Sequence, residues 1–509
     1  VSGTADEASV SGPPVLDDRA LEYRIGELWV GQVGVVALLI GIAFFISYPF
    51  GTSFLAIIQS LAGYLAVGGF CVLSRNWREP YPHTSRILFT GSLILLYFST
   101  LRLHFFTDSP VIPQKAVGLA LLVLVLAFLI YVAVARRSVH LSSLVLFLGF
   151  TTSLLSDTTH FALTLMAVTS AAALYLRLRY AWLQGVILSI FLAYAAHLIW
   201  MLNNPILGHP IRAVSEHHYN LVYLFVCAAL FGVANLPREQ SSDSAPANIA
   251  LAVFNCAGFY FLATVVGLTY FKAQFAGVNL LISAFFLAVS AAYWLHRQSR
   301  FSTAIYACFG YVALSVAIVA YAGSPERFVW LGWQSLLVIS TAIGFRSRIV
   351  VVANVLIYLG ILCFYLILEK PDLSVNLSYA AVAMLSARVM NWQKERFTLK
   401  TELMRNTYLA SAFVIIPYGL YHGVPQNYVS LSWLGAVAFY YAMSLILKNR
   451  KYRWLAILTM FLTVVHVFVM DLSQLRPVYR MVSFLVLGLI LLVVSWIYAR
   501  HRTGSEQLN

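Results

Sequence analysis

From residue 28 almost to the C-terminus, apolar runs of about 17–24 residues follow one another, separated by short polar punctuation. A helix rises 1.5 Å per residue, so about 20 residues cross the hydrocarbon of a bilayer. Lipid offers the backbone no hydrogen bonds, so such runs must be helices rather than open strands. The pattern predicts about eighteen spans: 28–48, 53–73, 84–101, 116–135, 139–155, 159–176, 181–202, 219–236, 249–271, 275–295, 302–322, 328–345, 349–368, 374–390, 403–421, 428–447, 454–470 and 481–499. The fold class is therefore all-α: a polytopic integral membrane bundle.

The flanks complete the organisation. Residues 1–18 are small, polar and acidic and read as a disordered cytoplasmic tail; 19–27 read as a juxtamembrane helix. A single transmembrane domain is expected over 28–500, with a cytoplasmic tail at 501–509. The fifth and sixth spans are short, and their hairpin at Ser156–His160 reads either as a plain turn or as re-entrant.

Composition agrees: 61% of residues are hydrophobic and 10% charged, where a soluble domain carries roughly 25%. The five cysteines all fall inside apolar runs, with no CxxC or Cys/His cluster, and read as small hydrophobes in helix packing.

Charge fixes the expected orientation. Lys and Arg stay on the cytoplasmic side during insertion. Of the 33 Lys and Arg, 25 fall in the two tails or in connections after even-numbered spans, and 8 in odd-numbered connections. Both termini are therefore expected in the cytoplasm. Most of the net charge of +14 lies on that face, which points to anionic lipid rather than nucleic acid. Tryptophans such as Trp29, Trp77, Trp182, Trp392 and Trp454 lie near proposed span ends, where amphipathic rings favour the interface.

Candidate chemistry is sparse. No Asp, Glu, Lys or Arg sits mid-span, which argues against proton or sodium coupling through a buried charge. His197 in span 7 and His466 in span 17 are the most deeply placed ionisable groups. Beyond His466, Asp471, Tyr479 and Arg480 share one outer turn and read as a charge-paired cap, with a ligand or proton site as the lesser reading. Arg102 and Asp157 mark two further outer turns, where a charge can snorkel or pair locally. The loop after span 7 gathers His209, His217 and His218; adjacent histidines are only a weak metal signal, and no metal or cofactor is expected. Gln32, Gln59, Asn255, Asn279, Gln334 and Asn354 lie inside spans and are expected to hydrogen-bond between helices. Pro417 is expected to kink span 15. The chain has no phosphate-binding loop, GxSxG, HExxH or dinucleotide fingerprint.

Two segments carry a resemblance. LEYRIGELWVGQVGVVALLIGIAFFISY (Leu21–Tyr48) resembles the opening helix, and VFVMDLSQLRPVYRMVSFLVLGLILLVVSWIYAR (Val467–Arg500) the closing helix pair, of a family of multi-pass bacterial membrane proteins, domain of unknown function 2339. The resemblance implies a bacterial inner-membrane location and draws attention to Asp471 and Arg480. It transfers no activity.

The leading functional expectation is a non-enzymatic structural or accessory membrane component, whose partners are membrane lipids and other membrane subunits. The alternative is a transporter or flippase of a neutral or lipid-like solute. A polyprenyl-phosphate-dependent glycosyltransferase ranks last: such enzymes resemble one another in an acid on the first outer loop, and Tyr48–Ser53 has none. A closed bundle favours the accessory reading, and a cavity reaching His197 or His466 favours transport.

Overall fold

The computed structural model describes residues 31–47, 53–106, 110–214, 218–234, 246–296, 300–345, 348–392 and 402–467, together with residue 485. Seventeen α-helices lie among them: α1 Gly31–Ser47, α2 Ser53–Asn76, α3 Pro82–Arg102, α4 Lys115–Ala135, α5 Val139–Leu154, α6 Thr159–Tyr180, α7 Leu183–Met201, α8 His218–Ala234, α9 Pro246–Tyr270, α10 Phe275–Leu295, α11 Arg300–Tyr321, α12 Glu326–Phe345, α13 Arg348–Leu368, α14 Leu373–Trp392, α15 Glu402–Gly423, α16 Val429–Ile446 and α17 Arg450–His466. Each coincides with one predicted run, and the described residues contain no strand. The eighteenth run, 481–499, lies outside the described residues apart from residue 485.

Twelve of these helices are long and apolar enough to cross a membrane; α1, α5 and α8 are apolar but shorter. The first turns of α15 and α17 carry Glu402, Arg405, Arg450, Lys451 and Arg453, which lower their apolar content.

Helix ends follow local chemistry. Ser138 accepts from Leu141 N at the start of α5, and Asn449 from Lys451 N at the start of α17. Asp372 caps α14, its Oδ1 accepting from Ser374 N at 2.9 Å and Val375 N at 3.3 Å. Proline stands at the start of α3, where its missing N–H costs nothing.

Large apolar side chains cover the outside of the helices as well as their core. On α6, Ala162, Met166, Ser170 and Ala173 are buried while Val168 and Tyr175 are exposed. On α7, Ser189, Ala193 and His197 form a fully buried i, i+4, i+8 stripe, with Leu188 and Phe191 outside. On these two helices small and polar residues join the buried face, and large apolar residues line the outer one, which suits close packing in a bilayer.

The sequence reads 28–500 as one transmembrane domain; the contacts divide the chain into two compact units, Val1–Arg238 and Glu239–Asn509. In the first, consecutive helices pair antiparallel, and α1 also packs on α3, α5 on α7 and α6 on α8. In the second, α9 packs on α11, α12 on α14, α13 on α15 and α15 on α17.

Polar links between connections respect parity. Asp157, between α5 and α6, meets Lys115 at the start of α4 at 3.6 Å and His209 after α7 at 3.1 Å. Glu369, after α13, meets Arg327 and, at 2.9 Å, Ser324 before α12. Lys451, after α16, meets Asn406 and Glu402 at the start of α15, at 2.6 and 3.6 Å. Odd connections thus join odd ones and even connections even ones, the arrangement expected of a chain whose turns alternate between two faces.

The Ser374 and Ser324 hydroxyls, the first with the α14 backbone and the second with Arg327, hold Asp372 and Glu369 below the usual carboxylate range. A carboxyl whose folded pKa is depressed stabilises the fold above its unfolded value, about 4, and loses that contribution as pH falls below it. Asp372→Ala is therefore expected to lower the thermal midpoint at pH 7 and to lower it by less at pH 3. An equal deficit at both pH values would rule out the ionised cap as its cause.

Candidate functional site

Neutral polar groups, not charges, fill the middle of the second unit. Gln334 on α12 donates from Nε2 to Tyr311 O at 2.8 Å and Ser315 Oγ at 3.0 Å, both on α11. Asn354 on α13 donates from Nδ2 to Ser335 O at 3.1 Å, Ser335 Oγ at 2.9 Å and Tyr408 Oη at 3.0 Å. Tyr358 Oη donates to Tyr379 O and lies within reach of Ser411 Oγ, each at 3.3 Å. Its ring packs 5.4 Å from Tyr379 and 4.9 Å from Tyr408, and Tyr365 stacks on Tyr379 at 6.4 Å. The four tyrosines form a ladder through α13, α14 and α15. Beside it lies a cavity of about 160 Å³, lined by Gln334, Asn354, Tyr358 and Tyr379 among others. The Tyr379 hydroxyl there is buried and finds no hydrogen-bond partner among the described residues.

A second cavity, of about 400 Å³, opens where α15, α16 and α17 meet, lined by Phe413, Pro417, Tyr421, Trp433, Leu462 and His466 among others. Pro417 has no N–H, so the Phe413 carbonyl one turn back loses its helical donor. The Pro417 carbonyl accepts from Trp433 Nε1 at 3.1 Å. His466 Nδ1 lies 3.1 Å from Ser430 Oγ, and its ring sits against Trp433 at 4.8 Å and Tyr421 at 5.9 Å. Among the described residues the lining is aromatic and aliphatic, with His466 its one ionisable side chain besides the tyrosine phenols.

In the first unit His197 is fully buried on α7. Its Nδ1 lies 2.6 Å from Asn220 Oδ1 on α8, and its Nε2 3.7 Å from Cys227 Sγ. The deepest histidine predicted from sequence is thus a helix-to-helix clasp. Arg102 donates to Ser47 O at 3.3 Å, joining the ends of α1 and α3. Asp157 holds the three-way contact with Lys115 and His209 and lines a third cavity, of about 640 Å³.

Of the weak metal candidates, His209 turns to Asp157, and the His218 ring lies 6.3 Å from that of Tyr219. His217 lies outside the described residues, among which no three His, Cys, Asp or Glu side chains converge. Asp471, Tyr479 and Arg480 also lie outside the described residues. Polar span residues join helices as expected: Gln59 to Phe45 O at 3.0 Å and Asn255 to Tyr306 Oη at 2.8 Å. Asn279 bonds its own helix, to Phe275 O at 3.0 Å, and accepts from Tyr260 Oη at 3.4 Å.

Sequence reasoning passed over the tyrosines. Tyr358, Tyr379, Tyr408 and Tyr440 are at most 2% exposed. Their signal was available: rings that prefer interfaces stand inside runs rather than only at run ends.

Residues 349–501 match the model of a family described as a predicted membrane protein (DUF2339). This part of the chain is similar to that family. The DUF2339 segment begins within α13 and contains Asn354, the tyrosine ladder and the whole lining of the His466 cavity. No curated protein and no solved structure matches the chain. The chain is a multi-pass helical membrane protein.

Proposed function

We propose that the protein is a non-enzymatic component of a bacterial cytoplasmic membrane whose DUF2339 segment binds a neutral, lipid-like molecule, the binding step of a transporter or flippase. In this reading the even-numbered connections and both termini face the cytoplasm. The observation that carries the proposal is the cavity of about 400 Å³ reaching His466. Among the described residues its walls are apolar and aromatic and hold no fixed charge, so an ionic group would be desolvated against them without a counter-charge. A neutral molecule avoids that penalty and gains packing contacts with Tyr421, Trp433 and Leu462.

The test is photolabelling of the purified full chain in lipid nanodiscs with a photoactivatable diacylglycerol. Labelling is expected on α15–α17, reduced at least about fivefold by Tyr421→Ala or His466→Leu and competed by unlabelled diacylglycerol but not by phosphatidylglycerol. Uniform labelling of all lipid-facing helices, unchanged by either substitution, would refute the binding role and leave an accessory role.

A further inference from the structure

The cavity of about 640 Å³ in the first unit is built from two turns. The α5–α6 turn supplies Asp157, Thr158, Thr159 and His160; the end of α7 supplies Trp200, Asn203 and Asn204. Asp157, Asn203 and Asn204 all adopt left-handed backbone conformations, with φ of 55°, 68° and 49°. Asp and Asn tolerate that region better than other side-chain-bearing residues.

Two wall residues are more than nine-tenths buried yet incompletely satisfied. Trp200 is 6% exposed and Asn204 2%. Trp200 Nε1, a donor, and Asn204 Oδ1, an acceptor, find no partner among the described residues, while the Asn204 amide nitrogen already donates to Leu154 O. Asp157, the one carboxylate among the described lining residues, is shared between Lys115 and His209.

We propose that this cavity binds a neutral, hydroxyl-rich molecule: a sugar, free or as the headgroup of a glycolipid. The donor set selects that chemistry. An anion meets the Asp157 carboxylate. A cation must compete with Lys115 and His209, already beside that carboxylate. A hydroxyl both accepts and donates, so one kind of group satisfies Trp200 and Asn204 once these side chains turn their buried polar atoms into the cavity, and Thr158, Asn203 and His160 extend the same chemistry around the rim. The volume, about 640 Å³, falls within the usual range of small-molecule sites.

The experiment uses the full chain in nanodiscs, free of glycosidic detergent, in two arms. One titrates maltose, followed by saturation-transfer NMR; the other compares thermal midpoints in nanodiscs with and without monoglucosyldiacylglycerol. Binding in the first arm identifies a free sugar, and in the second alone a glycolipid headgroup. Trp200→Phe removes only the indole N–H and keeps an aromatic ring; it is expected to weaken binding about tenfold while leaving the ligand-free midpoint unchanged or higher. Asp157→Asn is expected to weaken binding similarly, and Trp200→Phe still reads the site should that variant fold poorly. Absence of binding in both arms, binding indifferent to Trp200→Phe, or a response to inorganic phosphate in place of maltose overturns the proposal.

Discussion

Tyr358→Ala is expected to be the most damaging single substitution in the second unit, lowering stability by about 3–5 kcal/mol, the usual cost of truncating a buried aromatic side chain. Tyr358 is 2% exposed, its ring wedged between Tyr379 and Tyr408. Removing it leaves a hole beside the existing cavity, and both neighbouring rings lose a face. Tyr358→Phe keeps the ring and forfeits only the bonds to Tyr379 O and Ser411 Oγ. Hydrogen bonds inside membranes are individually weak, averaging about 0.6 kcal/mol, so this change should cost about 1 kcal/mol. Unfolding of the purified protein in mixed micelles by dodecyl sulfate reads both. Should the two substitutions cost the same, the ladder is held by its hydroxyls and not by its rings.

A reporter that is active only in the cytoplasm should be fully active when fused after Arg136–Arg137 or after Lys451–Arg453, and silent when fused between Asn203 and Arg212. The parity of the polar links bears on this outcome: the turn holding Asp157 meets those holding Lys115 and His209, so these three share one face. The cationic turns, with Arg136 and Arg137 among them, belong to the other. Their charge is what the insertion machinery retains. A silent fusion after Arg137 would reverse the orientation and move the Asp157 cavity to the cytoplasmic side.

The helices were legible because one variable decides them. An apolar run of fixed length has a single way to satisfy its backbone in lipid, so α1 to α17 fall on the predicted runs with ends shifted by a few residues. The sites were less legible, because facing is not encoded in overall hydropathy. Tyr358 and Tyr379 read as two more apolar residues until α13 and α14 are set side by side. His197 was visible as a deep histidine, but its partner Asn220 stands 23 residues away on α8, and only packing shows that the pair is a clasp. The cavity at Asp157 depends on three left-handed residues and two turns 40-odd residues apart, a geometry that no spacing rule captures.

Several of the buried side-chain donors choose main-chain oxygens as acceptors. Tyr358 donates to the carbonyl of Tyr379, Tyr440 to that of Ala412, Trp433 to that of Pro417 and Gln334 to that of Tyr311. An acceptor of this kind is present whatever amino acid occupies the position. Half of each bond is therefore immune to point mutation, and the burden of keeping these helices knitted falls on the donor alone. Such a scaffold can accumulate change along its acceptor positions while the knit itself survives.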